Sequence, residues 1–354
     1  MKIRDKYMLR AIELGKNALG SAAPNPMVGC CIVHRDRIIG EGYTSAHGGP
    51  HAEVNAIRSV TDTSILEEAT LYVTLEPCSH FGKTPPCSDM IIDKGIRKVV
   101  IGLQDPNPKV AGRGIEKLRK AGVEVIVGVM ENACRWHHRR FLTAFEKRRP
   151  YIILKWAESQ DGFLVPDRKL KDAERRPIWI TNSLSRQWVH QWRHEEQAIL
   201  VGTQTLIDDD PKLDVRHVAG QPPVRIGLDR QLRVPMASHI FDDSVHTLIF
   251  TEKQTDRSTD RTQFKKMAFD SEFIPNLCTE LWKLQLHSLI VEGGASTLQS
   301  FLALGLWDEA RIFRGSVLFH SGKPSPKIKG SVHSETDLKQ DRLTVLTNDQ
   351  EHHL

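Results

Sequence analysis

One constellation constrains this chain more than any other. His51-Ala52-Glu53 is followed, 26 intervening residues after the histidine, by Pro77-Cys78, and eight residues separate Cys78 from Cys87 in Pro86-Cys87. Zinc favours four tetrahedral ligands of nitrogen or sulfur, and a catalytic site keeps one of the four for water. His51, Cys78 and Cys87 supply three. Glu53 stands two residues past the histidine, so it can reach the water without binding the metal. It would take a proton from the water and return it to a leaving amine. The bland alternatives each leave something unexplained. A lone His-x-Glu pair is commonly helix surface, and Pro-Cys pairs are common, but these occur together and in order. A closed structural zinc site needs a fourth protein ligand, for which His80 is the nearby candidate, and it gives Glu53 no role. Zinc is the metal best matched to two thiolates and an imidazole.

Six cysteines in 354 residues do not make a disulfide framework. Thiols left free in a reducing compartment can bind metal, so a cytoplasmic protein is expected. Met1 to Arg10 is charged and lacks the apolar run of a secretory signal. No apolar stretch is long enough to span a bilayer. The length argues for two domains. A net charge of +5 is mild, and suits phosphorylated small molecules as well as nucleic acid. The densest basic run, Arg135 to Arg149, reads as a solvated helix face and linker rather than a binding arm.

Periodicity predicts an amphipathic helix over 3–19, with Ile3, Met8, Ala11, Ile12 and Leu19 on one side. Strands are expected at Val28–Val33 and Ile38–Gly42, joined by the polar turn His34–Arg37. A helix from His51 to about Val60, a strand at Thr70–Thr74 and a helix at Ser88–Lys94 follow. Lys98–Gly102 (strand), Gly114–Ala121 (helix) and Val123–Val127 (strand) complete a layered α/β domain. Beyond Pro150 come a strand at Tyr151–Trp156, a helix at Leu184–Glu196, and strands at Ala198–Val201, Val224–Leu228, Thr247–Thr251 and Leu289–Glu292. The last leads through Gly293-Gly294 into a helix at Thr297–Leu304. Residues 252–275 are polar and poorly patterned.

The H-x-E…P-C arrangement is that of zinc nucleobase deaminases, whose signature places two residues between the cysteines. The wider gap here narrows the resemblance. Thr74-Leu75-Glu76-Pro77-Cys78-Ser79-His80-Phe81-Gly82-Lys83-Thr84-Pro85-Pro86-Cys87 resembles the signature of the bifunctional deaminase/reductase family of riboflavin biosynthesis. So do Pro24 to Gly29, Gln104 to Pro108, Val110 to Gly114, Trp179-Ile180-Thr181, Asp208 to Pro211 and Val291 to Gly294. The resemblance covers nearly the whole chain. It implies a cytidine-deaminase-like three-layer domain over 1–146 and a dihydrofolate-reductase-like domain over 150–354. It also implies zinc-dependent removal of the 2-amino group of a diamino-ribosylamino-pyrimidinone 5′-phosphate, then NADPH-dependent reduction of the ribosyl group to ribityl.

In that family Asn25, His80, Lys83 and Asn107 correspond to residues near the deaminase substrate. An asparagine can read a pyrimidinone edge with paired donor and acceptor, and Lys83 offers a charge to the phosphate. Turn chemistry beside prolines is the plainer reading of Asn25 and Asn107. The resemblance places the cofactor on Ala157, Trp179, Thr205, Asp209 and the run Gly293, Gly294, Ala295, Ser296, Thr297. Glycines allow close backbone approach there, and a helix N-terminus favours an anion. Arg193, Leu213, Arg216 and Glu292 match the reductase substrate positions, and arginines suit a phosphate. Trp179 and Leu213 read equally as core, and Arg193 as helix surface. Three departures stand out. Thr44 occupies the place of a histidine seven residues before the zinc histidine, with His47 the nearest histidine. Arg175-Arg176-Pro177-Ile178, after a charged insertion from Asp167 to Arg176, stands where the family often reads Gly-Glu-Ser. Arg230 replaces a serine or threonine near the cofactor.

Two other readings compete. A nucleic-acid-editing deaminase must grip flanking nucleotides with basic and aromatic side chains, but aromatics are 6 % of the chain and are not interleaved with the basic run. A second domain that binds a nucleotide without reducing anything would be regulatory. The expectation is a free, phosphorylated pyrimidine as substrate, no nucleic-acid or membrane partner, and a homo-oligomer.

Overall fold

The computed structural model describes residues 3–79, 85–107, 110–167 and 179–348. The chain divides into two compact units, Met1–Arg149 and Pro150–Leu354. No described helix is long and apolar enough to cross a membrane.

The first unit runs α1 (Ile3–Lys16), β1 (Gly29–His34), β2 (Arg37–Tyr43), α2 (Ala52–Arg58), β3 (Thr70–Val73), α3 (Cys87–Asp93), β4 (Lys98–Ile101), α4 (Arg113–Lys120), β5 (Glu124–Val127), α5 (Glu131–His137) and α6 (Arg139–Lys147). Its five strands take the order β2-β1-β3-β4-β5. β1 is antiparallel to β2 and β3, while β3, β4 and β5 run parallel. The period-2 alternation of β1 separates two helical layers. Gly29 lies against the Ala11 carbonyl of α1, and the Cys31 thiol donates to the Tyr7 carbonyl at 3.4 Å. Cys30 points the other way, as does its partner Gly42, which meets the Ala52 carbonyl and Ala56 nitrogen of α2. The sheet is therefore sandwiched, with α1 on one face and α2 on the other.

The hairpin between β1 and β2 is tighter than expected. His34 pairs with Arg37, leaving Arg35 and Asp36 as a two-residue turn with φ 47° and 60°. Positive φ at both positions matches the right-handed strand twist. The basic run is also not one solvated face. It spans the end of α5 and all of α6, and His137, His138 and Arg149 are buried.

The second unit runs β6 (Tyr151–Glu158), β7 (Phe163–Pro166), α7 (Ser183–Glu195), β8 (Ala198–Gly202), α8 (Thr203–Asp209), β9 (Val224–Leu228), β10 (Thr247–Thr251), β11 (Thr262–Lys266), α9 (Phe273–Lys283), β12 (Ser288–Val291), α10 (Ala295–Ala303), β13 (Glu309–Arg314), β14 (Gly322–Pro324), β15 (Ser331–Leu338) and β16 (Asp341–Thr347). Nine strands form one sheet, ordered β11-β10-β9-β8-β12-β6-β13-β16-β15. The seven from β11 to β13 are parallel, and β16 and β15 add antiparallel strands at one side. Both faces are covered, as a parallel sheet requires. Ile152, Leu154, Trp156 and Leu200 join one apolar cluster, while Tyr151, Ile153, Ile199 and Val201 join another with Val189 and Trp192 of α7. The poorly patterned 252–275 region holds β11 and the start of α9. The strand β12 enters between β8 and β6, and β13 continues beyond β6. Ligands of such sheets bind at the carboxyl ends of strands where the winding direction reverses.

Candidate functional site

Three donor atoms converge in the first unit. His51 is the residue before α2, Cys78 follows β3, and Cys87 opens α3. The His51 Nδ1 lies 3.6 Å from Cys78 Sγ and 3.3 Å from Cys87 Sγ. All three ligand atoms fall within 4.8 Å of one another. A tetrahedral zinc with ordinary Zn–S and Zn–N distances separates its nitrogen and sulfur ligands by roughly 3.6 Å. The set therefore fits the ion in both chemistry and spacing. The Cys87 backbone N–H also donates to Cys78 Sγ at 3.3 Å, which orients that sulfur from the second ligand's own helix.

Charge in this cluster is shared. The hydrogen bond between the thiols holds Cys78 down to about 4 and pushes Cys87 up. The bond to Cys78 raises His51 to about 9. Glu53 is 3 % exposed on α2, and its burial raises the carboxyl to about 7. It feels the charges of His51 and Cys78, so it sits against the donor cluster. A buried carboxyl beside the donor cluster is placed to accept and return a proton.

Asn25 is half-buried in the turn where its N–H bonds the Ala22 carbonyl. Asn107 is half-buried too. Its N–H donates to Asp105 Oδ1 at 2.8 Å, and its carbonyl accepts from Val110 and Ala111. His80 and Lys83 lie outside the described residues, as do Arg175 to Ile178. Thr44 is buried. Its hydroxyl donates to the Pro26 carbonyl and accepts from the Val28 N–H, both at 3.0 Å. It thus locks the backbone next to Asn25. His47 is exposed, and its N–H reaches the Ser21 carbonyl at 3.1 Å.

In the second unit Arg193 of α7 meets Glu292, just past β12, with Nη2 at 2.9 Å from Oε2. Lys155 of β6 places its Nζ 3.9 Å from Glu292 Oε1. Burial alone would raise Glu292, but Arg193 and Lys155 hold it down to about 2. Burial lowers Lys155. Sequence reasoning missed Lys155, although a lysine inside the apolar run Tyr151–Trp156 was a visible signal. Glu292 Oε1 and Arg193 Nε are buried without a hydrogen-bond partner. Polar atoms left so in a pocket are the kind a ligand satisfies.

The other expected positions spread around these strand ends. Leu213 is buried in the apolar cluster beside Trp192, with φ 51°. Arg216 is half-exposed and pairs with Asp214 at 3.2 Å. Trp179 is 63 % exposed under the Arg186 guanidinium, 4.7 Å away, and so is not core. Ala157 and Thr205 are half-buried and Asp209 exposed. Gly293 needs its missing Cβ for a neighbouring strand: one there would fall 2.4 Å from Val201 Cα. Gly294, at φ 58°, is the residue before α10, which carries Ala295, Ser296 and Thr297. The Arg230 side chain is exposed and paired with Glu252 at 2.9 Å.

The model for the cytidine and deoxycytidylate deaminase zinc-binding region matches residues 1–103, and that for the RibD C-terminal domain matches 150–350. Fold and site together define a deaminase with a zinc-binding region joined to a reductase. The riboflavin biosynthesis protein RibD of Aquifex aeolicus is 41 % identical over 316 residues, covering 88 % of this chain and 86 % of that protein. That of Escherichia coli is 36 % identical over 323 residues, covering 87 % and 86 %. A Thermotoga maritima crystal structure, a diaminohydroxyphosphoribosylaminopyrimidine deaminase/5-amino-6-(5-phosphoribosylamino)uracil reductase, superposes with a TM-score of 0.88 at 36 % identity, covering 98 % of this chain and 99 % of that one. The chain belongs to the RibD family of bifunctional riboflavin-biosynthesis enzymes. Its cofactors are zinc and NADPH.

Proposed function

We propose that this enzyme acts in two steps on one free, phosphorylated pyrimidine. The first unit, over 1–146, removes the 2-amino group of 2,5-diamino-6-ribosylamino-4(3H)-pyrimidinone 5′-phosphate as ammonia. The second, over 150–354, reduces the ribosyl group of the product to ribityl. The observation that carries this reading is the convergence of His51, Cys78 and Cys87 on one point with buried Glu53 against them.

His51, Cys78 and Cys87 hold the zinc. The ion supplies Lewis acidity that brings a water proton within reach of a carboxylate at neutral pH. Glu53 takes that proton and delivers it to the departing amine, so the carboxylate is regenerated. Asn25 and Asn107 bind the pyrimidine edge, and His80 and Lys83 meet the sugar phosphate. In the reductase, Glu292 is held ionised by Arg193 and Lys155 and orients the sugar hydroxyls. Arg193, Leu213 and Arg216 line the substrate. Ala157, Trp179, Thr205, Asp209 and Gly293 to Thr297 would hold NADPH, which would supply the reducing hydride when bound. The enzyme is cytoplasmic, forms a homo-oligomer and takes no nucleic acid as partner.

One paired assay tests this: ammonia release and NADPH oxidation followed on the same phosphorylated pyrimidine. Glu53→Ala should stop ammonia release, yet oxidise NADPH when given the deaminated product. Wild-type ammonia release by that variant would sink the mechanism. Ammonia release with no NADPH oxidation would make the second unit a binding module, and salt-dependent RNA binding would favour an editing deaminase.

A further inference from the structure

A second buried carboxylate in the first unit takes no part in the chemistry above. Glu76 is 4 % exposed. Its Oε2 accepts from the Asp105 and Gly112 N–H groups at 3.2 and 2.9 Å, and its Oε1 from those of Gly114 and Ile115 at 2.8 and 3.2 Å. Its own N–H bonds the Leu103 carbonyl at 2.9 Å. The four donors lie on the segment that carries Asn107 and on the first turn of α4. A carboxylate at a helix N-terminus is favoured by the unpaired N–H groups there. The helix start is also pressed onto the metal-ligand segment: a Cβ on Gly114 would fall 2.1 Å from the Pro77 carbonyl oxygen.

We propose that Glu76 is a positioning residue that clamps the Asn107 loop to the Cys78 ligand, so that metal and substrate contacts move as one body. The assignment rests on the reading of Cys78 as a zinc ligand and Asn107 as a substrate contact. Glu76 stands two residues from Cys78, so its side chain transmits any shift of the backbone at Asp105 and at Gly112 to Ile115 directly to that ligand. All four of these side-chain bonds go to backbone N–H groups. A ligand loop held this way keeps its geometry in the free enzyme and does not wait for substrate to order it.

Glu76→Gln tests the clamp. The amide keeps one acceptor oxygen but turns an NH2 towards two N–H donors, so one side of the loop must open. Three changes are expected together. Zinc release to a chelator quickens, on the order of 10- to 100-fold, as for other outer-sphere partners of metal ligands. The KM for deamination rises more than kcat falls. The amides of Gly112, Gly114 and Ile115 lose hydrogen-exchange protection. NADPH oxidation on the deaminated pyrimidine checks the second unit, and an unchanged circular dichroism spectrum of the whole protein checks that the first has folded. Gly114→Ala, which pries the same contact apart while leaving the carboxylate in place, should reproduce the pattern, and it decides the matter if Glu76→Gln does not fold. A drop in melting temperature alone, with wild-type zinc release and wild-type KM, overturns the proposal. Wild-type protein that binds no zinc would instead overturn the reading of the site, leaving the clamp without a ligand to position.

Discussion

In the first unit the buried carboxylates Glu53 and Glu76 lie close in sequence to the residues they serve, and Glu76 is matched oxygen by oxygen to backbone N–H groups. In the second, Lys155, Arg193 and Glu292 come from β6, α7 and the end of β12, and two of their polar atoms stay unmatched. The first arrangement holds a small ion, which demands fixed ligands before any substrate arrives. The second, on the proposed function, meets a larger ligand whose hydroxyls or phosphate would complete the network on binding. The Glu76 carboxylate is thus fully matched within the fold, whereas the Arg193–Glu292 pair keeps a buried polar atom on each partner without a hydrogen bond.

The largest expected effect probes this contrast at the chemistry. Glu53→Ala should lower the rate of ammonia release by roughly 10²- to 10⁴-fold, the usual worth of general acid–base catalysis. Its zinc content should stay at the wild-type level by metal analysis. Next, Glu292→Leu leaves Arg193 and Lys155 buried without a counter-charge. It should cost about 3–5 kcal/mol in the denaturant unfolding of the second unit, and unchanged unfolding would show that ligand-free water already satisfies them.

The pH dependence separates the units further. Glu292 is held at about 2 against an ordinary 4.5. A folded value below the unfolded one gives stability that is complete above pH 4.5 and lost as pH falls towards 2. Measured against Glu292→Gln, the wild-type advantage should shrink only in that window. In the first unit burial pushes His137 down to about 4 from 6.5. The fold wants it neutral, so the wild type should lose ground to His137→Gln as pH drops from 6.5 towards 4. Identical acid profiles for the two variants would erase the distinction. The smallest effect concerns the hairpin. Arg35→Asn with Asp36→Gly should raise the first unit's stability by about 1 kcal/mol, since those residues suit positive φ, without altering ammonia release.

The same contrast decides what could be read from the chain. The donors of the first unit are fixed by short segments whose spacing survives in one dimension, so the convergence of His51, Cys78 and Cys87 is legible from the order of residues alone. The parallel strand at Ala198–Val201 is legible too, because burial on both faces leaves an unbroken apolar run. What escaped was set by tertiary pairing. Glu76 reads as part of a motif until its four N–H partners are seen. Lys155 reads as an oddity until β12 brings Glu292 beside it. β11, Thr-Gln-Phe-Lys-Lys, has no pattern of its own and is a strand because β10 pairs with it. Thr44, where the family pattern has a histidine, gives no hint in sequence that its hydroxyl bonds the Pro26 carbonyl and the Val28 N–H.

The nine-stranded sheet has one further consequence, for how copies of this protein meet. Its rims are β11 at one side and β15 at the other. Lysines at 265 and 266 stand on the first. The second carries Glu335 and Asp337 and a register shift between Val332 and Ser334. Charge and a bulge on an open strand discourage another chain from zipping onto it. These charges and the bulge therefore disfavour edge-to-edge extension of the sheet, the route by which crowded or partly unfolded copies template fibres.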